Sequence, residues 1–357
     1  MRVVAAMSGG VDSSVAAALL VEQGHEVIGV HMKLHDAPEI APGQADDGKH
    51  CCGLDDAMDA RRVADALGIP FYVMDLRREF KGAVMDYFAD TYLKGATPNP
   101  CIQCNGVLKF RVLLRRAAAL GASHLATGHY ARITEAGGLM AAQDKDKDQS
   151  YFLFPVRKTA LEKTLFPLGG MSKPEVRDIA RRLNLVTAEK PESQEVCFIP
   201  DDNYARFVAE HRPELEDGAG DIVMTDGTVL GQHQGYWRYT IGQRRGLGVA
   251  VGHPLYVLRI DPHTRQVVVG TNDQLEQREI VAVGMNWFRQ PVPEEPLRAR
   301  IRHRGALHEA EVVELDPVRI VLTSPARAVA PGQAVVLYAA DGDEVIGGGW
   351  IRRRSRS

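Results

Sequence analysis

The stretch "MSGGVDSS" (Met7–Ser14) decides how the first half of this chain is read. It leaves an apolar run, Arg2–Met7, that reads as a buried strand, and it enters Asp12–Gln23, a helix stopped by Gly24. Gly9 and Gly10 allow a tight turn that aims backbone N–H groups outward, and the following helix adds its positive end. Ser8, Ser13 and Ser14 bring hydroxyl donors, and Asp12 can cap the helix or help hold a metal. A capped turn alone would explain these residues. Their place after the first strand of an α/β sheet points instead to a phosphate site. The loop itself holds no Lys-Ser/Thr pair and no G-x-G-x-x-G, so neither the common nucleotide P-loop nor a dinucleotide fold is expected.

Outward from the loop, strands and helices alternate. Glu26–Met32, Phe71–Met74 and Ser123–Thr127 read as strands; Leu54–Leu67 with its stop Gly68, Arg78–Leu93 and Val107–Leu120 read as helices. This order predicts an α/β domain with a parallel sheet covered on both faces. Lys33–Cys52 and Lys94–Asn105 read as long loops. After about residue 203, short strand-like segments take over: Tyr256–Ile260, Gln266–Val269, Ala310–Leu315, Arg319–Leu322 and Ala334–Tyr338. "TDGT" (225–228) and "ADGD" (340–343) read as hairpin turns. The expected organisation is a nucleotide-binding domain over 1–202, a small β-rich domain over 203–270, a barrel-like domain over 271–352 and a basic tail, 353–357. With 357 residues, more than one core is expected.

A net charge of -3 gives no global field for an anionic partner, so local basic patches would have to do that work. Met1-Arg2 precedes only five apolar residues before Ser8, too few for a signal-peptide core, and the run Val15–Val21 is too short to span a membrane. A cytoplasmic protein is expected. Its five cysteines, an odd number, fit no disulfide framework.

Five further motifs follow in order: "TPNPCIQCN" (97–105), "ATGHYAR" (126–132), "DKDQSYFL" (146–153), "SQEVCFI" (193–199) and "YTIGQRRGLG" (239–248). The glycine–serine loop resembles the pyrophosphate (PP-loop) cradle of the ATP pyrophosphatases, and the whole set resembles the tRNA-specific 2-thiouridylases over nearly the full length. The resemblance implies an adenine nucleotide α-hydrolase-like first domain, a small central domain and a C-terminal β-barrel. It implies ATP-dependent adenylation of the C2 oxygen of a wobble uridine, then sulfur transfer. Cys104 is implied as nucleophile and Cys197 as persulfide carrier, the two exchanging through a disulfide. ATP is implied at Ala6, Met7, Ser8, Gly9, Gly10, Val11, Asp12, Ser13, Met32 and Gly128, with Mg2+. Contacts to the target base or the tRNA are implied at Asn99, Pro100, Cys101, His129, Lys147, Asp148, Gln149, Arg302, His303 and Gln333. A helix starting near Gly106 would let its dipole lower the Cys104 pKa.

One well-known form of the family has Asp where Cys101 stands. Either Cys101 keeps a backbone role beside the base, or Cys101, Cys104 and Cys197 ligate an iron–sulfur cluster as sulfur carrier. An upstream persulfide carrier protein is the expected sulfur source. "HCCG" (50–53) reads as plain thiols, because adjacent cysteines hold one ion poorly, and His25, His31 and His35 read as surface or packing residues. In "LRARIRHRG" (297–305), Arg298, Arg300, Arg302 and Arg304 would share one face of a strand, about 6.6 Å apart, which suits a phosphate backbone. Two other classes compete: a PP-loop ligase acting on a small metabolite, which would not need the two cysteines, and a non-catalytic RNA- or iron–sulfur-binding protein.

Overall fold

The computed structural model describes residues 1–36, 54–192, 196–213, 218–292 and 294–353. The expected loop thiols Cys51 and Cys52, and Ser193–Glu195 of "SQEVCFI", lie outside them. The chain divides into two compact units, one of Met1–Val84, Cys101–Asp202 and Asp343–Val345, the other of Met85–Pro100, Asn203–Gly342 and Ile346–Ser357.

In the first unit, β1 (Arg2–Ala6), β2 (Glu26–Lys33), β3 (Phe71–Asp75), β4 (His124–Ala126) and, after the hairpin β5 (Ala131–Ile133) and β6 (Leu139–Ala141), β7 (Thr164–Leu165) provide the strands. The main sheet runs β3-β2-β1-β4-β7, with every pair parallel. Its order reverses at β1, which carries β2 on one side and β4 on the other. The carboxyl ends of β1 and β4 therefore flank the crevice where open α/β sheets bind ligands. α1 (Val11–Glu22) presents Val15, Ala16, Ala17 and Leu20 to the core, and its run of alanines lets it lie close to both the sheet and the helix Lys173–Arg182. α2 (Leu54–Ala66) buries Ala60, Val63 and Ala64, the i, i+3, i+4 stripe of an amphipathic helix.

The expected helix Arg78–Leu93 is helical from Arg77 to Leu93, with a π-type stretch at Lys81–Met85. The segment 94–105 is a loop only as far as Asn99. Helix begins at Pro100, runs as a π-helix over Cys104–Leu113 and ends at Ala119. Proline at the first helical position loses no hydrogen bond, and its fixed φ suits the entry.

In the second unit, helix Asp86–Leu93 packs on helix Tyr204–His211 through stacked Tyr92 and Tyr204 (centroids 4.7 Å apart) and edge-on Phe88 and Phe207. Arg212 pairs with Asp86 and Asp90 at 3.0 and 2.8 Å. A four-stranded sheet follows, formed by Gly220–Met224, Val229–His233, Tyr256–Asp261 and Gln266–Gly270. "TDGT" makes its first hairpin, with Gly227 at φ +91°. Six strands then close a barrel in the order Glu276–Trp287, Val318–Arg327, His308–Leu315, Leu297–Arg300, Ala334–Ala339, Val345–Ile351. Inward residues such as Ile280, Leu297, Ala299, Ile320 and Leu337 fill it. No helix among the described residues is long and apolar enough to cross a membrane.

Candidate active site

The loop between β1 and α1 is built from its own hydroxyls. Ser13 Oγ accepts from the Ser8 N–H at 3.1 Å, lies 3.1 Å from Ser8 Oγ, and donates to the Gly10 carbonyl at 3.1 Å; Ser14 Oγ donates to the same carbonyl at 2.9 Å. Gly9 sits at φ +81°, and a Cβ there would lie 2.3 Å from the Asp56 carbonyl oxygen, so only glycine fits. Gly128, just past β4, backs onto the first turn of α1: a Cβ would lie 2.7 Å from both the Asp12 carbonyl carbon and the Ser13 nitrogen. Gly128 thus sets the end of β4 against the start of α1, and Gly9 sets the loop against α2. Met32, near the end of β2, is half-buried.

His31, expected only to pack, is buried and donates from Nδ1 to the Met7 carbonyl at 3.0 Å. Burial lowers its pKa, so the neutral ring is a hydrogen-bond prop for the loop.

Sequence reading missed the ionic cluster beside the loop. Lys173, buried, reaches both Asp12 oxygens at 2.7 and 2.8 Å and Glu192 at 2.7 Å. Tyr130 donates to Asp12 at 2.8 Å, and Lys147 pairs with Glu192 at 2.8 Å. Burial and the adjacent Asp12 charge push the Tyr130 phenol up. Burial alone would raise the Glu192 carboxyl, but hydrogen bonds from Lys147 and Lys173 outweigh it and hold the group down to about 2. Its ordinary value is 4.5, so the stabilisation is complete above that pH and is lost as pH falls toward 2. Glu192→Gln is therefore expected to lower Tm by about 2–4 °C at pH 7, for a pair worth about 1 kcal/mol. The gap from the parent should narrow below pH 4.5 in thermal melts; a gap that persists unchanged to low pH would contradict the pairing. The one local signal was "SKPE", in which Ser172 and Glu175 form a capping box that places Lys173 at the first helical position.

Cys101, Cys104 and Cys197 stand outside any disulfide, the first exposed and the others half-buried. Cys104 lies inside the helix rather than ahead of it. The expected dipole effect is therefore overturned: burial raises the Cys104 thiol pKa, opposed only by the charge of Lys109. Cys197 sits in a turn whose next residue, Phe198, packs edge-on against Phe80 at 5.6 Å. Phe80 belongs to the helical segment Arg77–Phe80, which packs on the π-helical stretch that begins with Cys104. Among the described residues no group of three His, Cys, Asp or Glu side chains converges to hold a metal, and that includes the three cysteines.

The expected RNA contacts have varied settings. His129 is buried between Phe110 and Phe166, with Nδ1 2.7 Å from Thr127 Oγ1 and Nε2 3.3 Å from Lys109 Nζ. Asp148 is buried and accepts from the N–H groups of Ala142 and Ser150 and from the Ser150 hydroxyl; Gln149 accepts from the Tyr130 N–H at 3.0 Å. These side chains brace the fold locally. Asn99 is half-buried and Pro100 buried. Gln333 donates to the carbonyls of Thr97 and Pro98 at 3.2 and 3.0 Å, latching the loop that leads into Pro100. The arginine stripe needs correction. Its strand ends at Arg300, and Arg302, His303 and Arg304 lie in the turn that follows, although Arg298, Arg302 and Arg304 all stay exposed.

Three family profiles match the chain: "tRNA methyl transferase HUP domain" over residues 1–201, "tRNA methyl transferase PRC-barrel domain" over 205–271 and "Aminomethyltransferase beta-barrel domain" over 277–351. The tRNA-specific 2-thiouridylase MnmA of Geobacter metallireducens is 49% identical over 357 residues, covering 98% of this chain and 96% of its own. That of Carboxydothermus hydrogenoformans is 48% identical over 363 residues, covering 99% and 98%. Among solved structures, a 4-thiouridine synthetase–RNA complex with bound ATP is 18% identical with a TM-score of 0.37, covering 60% of this chain and 50% of that one, too distant to bear on the chemistry. Identity near one half over essentially the whole length places the chain in the tRNA-specific 2-thiouridylase family.

Proposed function

We propose that this protein is an ATP-dependent sulfurtransferase that converts the wobble uridine of tRNA to 2-thiouridine. The observation that carries the proposal is the company of the serine–glycine loop, at the switch point of a parallel sheet, with two cysteines outside any disulfide, Cys104 and Cys197, in the same compact unit. The family membership supports the same reading.

A uridine C2 oxygen is a poor leaving group until it is esterified. The loop's N–H groups and hydroxyls suit the pyrophosphate of ATP, which departs as the uridine oxygen attacks the α-phosphorus. Lys173 is a cation beside the loop, held by Asp12 and Glu192. An arriving phosphate would compete with Asp12 for it. Mg2+ takes one or two carboxylates with substrate phosphates and keeps waters, and Asp12 is the carboxylate of the loop itself. Its charge would ease departure of the pyrophosphate.

Sulfur arrives from a carrier protein as a persulfide on Cys197. The terminal sulfur attacks C2, the carbon–oxygen bond breaks and AMP leaves. The Cys104 thiolate then attacks the Cys197 sulfur, breaking the S–S bond; 2-thiouridine is freed and a Cys104–Cys197 disulfide remains. An external thiol reduces it for the next turnover. Three thiolates leave an iron–sulfur cluster one ligand short, whereas the persulfide route needs only Cys104 and Cys197. The methyl-transferase wording of two matched profiles has no counterpart in the loop, because methyl transfer needs no pyrophosphate cradle. Arg298, Arg302 and Arg304, exposed on the barrel, suit the tRNA backbone.

The test is mass spectrometry of nucleosides from a tRNA with an unmodified wobble uridine, incubated with the protein, Mg-ATP and a persulfide donor. A sulfur-for-oxygen mass gain at that uridine, dependent on ATP and matched by pyrophosphate release, is expected. Pyrophosphate release without sulfur gain would overturn the assignment.

A further inference from the structure

The 100–119 helix holds a feature that neither phosphate binding nor the thiol pair requires. Ten residues, Cys104–Leu113, are wound as a π-helix, and Lys109 lies within them, five places after Cys104. In an α-helix a residue five places on points about 140° away from the first. Bonding from i to i+5 widens the turn and swings that residue back toward the starting face. π-Helical segments are rare and concentrate at functional sites. We propose that Lys109 is the positioning cation for Cys104: the widened turn brings its ammonium to the thiol's side of the helix, and a neutral His129 holds it there without cancelling its charge.

The support is geometric and chemical. Lys109 Nζ lies 3.3 Å from His129 Nε2, and since an ammonium only donates, that nitrogen accepts. The imidazole proton must then sit on Nδ1, donated to Thr127 Oγ1 at 2.7 Å. His129 is buried, and burial together with the adjacent Lys109 charge holds its pKa well below the ordinary value, so the ring stays neutral. Lys109 has no carboxylate partner among the described residues. Its charge is the one electrostatic influence that opposes burial at the Cys104 thiol. Lys173, by contrast, is paired with Asp12 and Glu192. An unneutralised lysine beside a half-buried thiol lowers the cost of the thiolate once its proton leaves to solvent.

The inference rests on the reading of Cys104 as the sulfur-exchange nucleophile, and its test is kept separate from that reading. The rate of Cys104 alkylation by iodoacetamide is followed by peptide mass spectrometry across pH 6–10 in the full-length protein. The thiolate forms an S–C bond as iodide leaves, so the rate reports the thiolate fraction. Lys109→Gln keeps a donor for His129 but removes the charge; it should slow alkylation by about fivefold at pH 7.5 and move the pH midpoint upward. Lys109→Arg should stay within about twofold of the parent. A Gln variant that reacts like the parent, or Gln and Arg variants slowed alike, overturns the proposal. The unaltered protein gives a second measurement that needs no variant to fold: at Cys104 the ratio of the iodoacetate rate to the iodoacetamide rate should exceed that of free cysteine by about threefold, because a local cation favours the anionic reagent. A ratio at or below that of free cysteine overturns it. Thiolation that survived Cys104→Ser would overturn the nucleophile reading while leaving these rates unaffected.

Discussion

Cys104→Ser is expected to abolish 2-thiouridine formation, by at least about a thousandfold, while pyrophosphate release from ATP continues. Serine keeps the volume and the helix but cannot attack a disulfide sulfur at neutral pH, since its hydroxyl is far less acidic than a thiol. The loss falls on the last chemical step. If the persulfide itself attacks the base, adenylation and AMP departure still proceed and the tRNA stays linked to Cys197 through an S–S bond. A protein–tRNA adduct that resists denaturant and dissolves in dithiothreitol is therefore expected on gels. Cys197→Ser, in contrast, should give neither product nor adduct. Sulfur gain at the parental rate in Cys104→Ser would remove Cys104 from the mechanism, and an adduct in Cys197→Ser would reverse the assignment of roles.

Gly128→Ala should have the second-largest effect. A Cβ there would sit 2.7 Å from two backbone atoms of the first turn of α1, the Asp12 carbonyl carbon and the Ser13 nitrogen. Backbone yields less readily than a side-chain tip, so the strand end and the loop must part by several tenths of an ångström. Overpacking of this kind costs about 1–3 kcal/mol of stability. The catalytic cost is larger in proportion, because the displaced N–H groups are those offered to the leaving pyrophosphate, and misplacement near 1 Å costs about a hundredfold. ATP-dependent pyrophosphate release in the presence of tRNA should fall by about that factor. Gly82→Ala is the control. Nothing lies within 4 Å of its Cβ position, its backbone is helical, and the substitution should be neutral or stabilising by about 0.5 kcal/mol. Equal losses in the two variants would disconnect Gly128 from the loop.

The readable parts of this sequence were those encoded by local period and turn chemistry. Arg2–Ala6, Val11–Glu22 and Glu26–Lys33 fall within a residue or so of expectation, because apolar runs, a glycine pair and Gly24 mark their ends. The loop at 94–105 was misjudged at its second half. Asn99 and Pro100 are turn residues by habit, yet proline at a helix start is equally at home. That error displaced the helix start and led to a dipole argument for Cys104, where burial in fact decides the direction. The π-winding of Cys104–Leu113 has no local signature at all. Nor could spacing show that Lys173 would meet Asp12, or that His31 would hold the Met7 carbonyl, since both contacts exist only after the sheet has brought distant segments together. Of the arginines at 298–304, expected on one face of a strand, Arg298, Arg302 and Arg304 are exposed, Arg300 lies half-buried over the Tyr338 ring, and the strand itself stops at Arg300 because the chain turns there.

The latch of Gln333 on the carbonyls of Thr97 and Pro98 also has a bearing on how the protein is made. Residues 85–100 belong by their contacts to a unit whose remaining parts begin at Asn203. As the chain emerges from the ribosome, this early piece waits for helix Tyr204–His211, then for Gln333, made just before the last two barrel strands, and finally for Arg353, whose Nη2 donates to the Lys94 and Gly95 carbonyls at 3.2 and 3.1 Å. Pulse-labelled nascent chains should accordingly keep the peptide around Thr97–Asn99 open to protease until translation is nearly complete, long after β1 and α1 have become resistant.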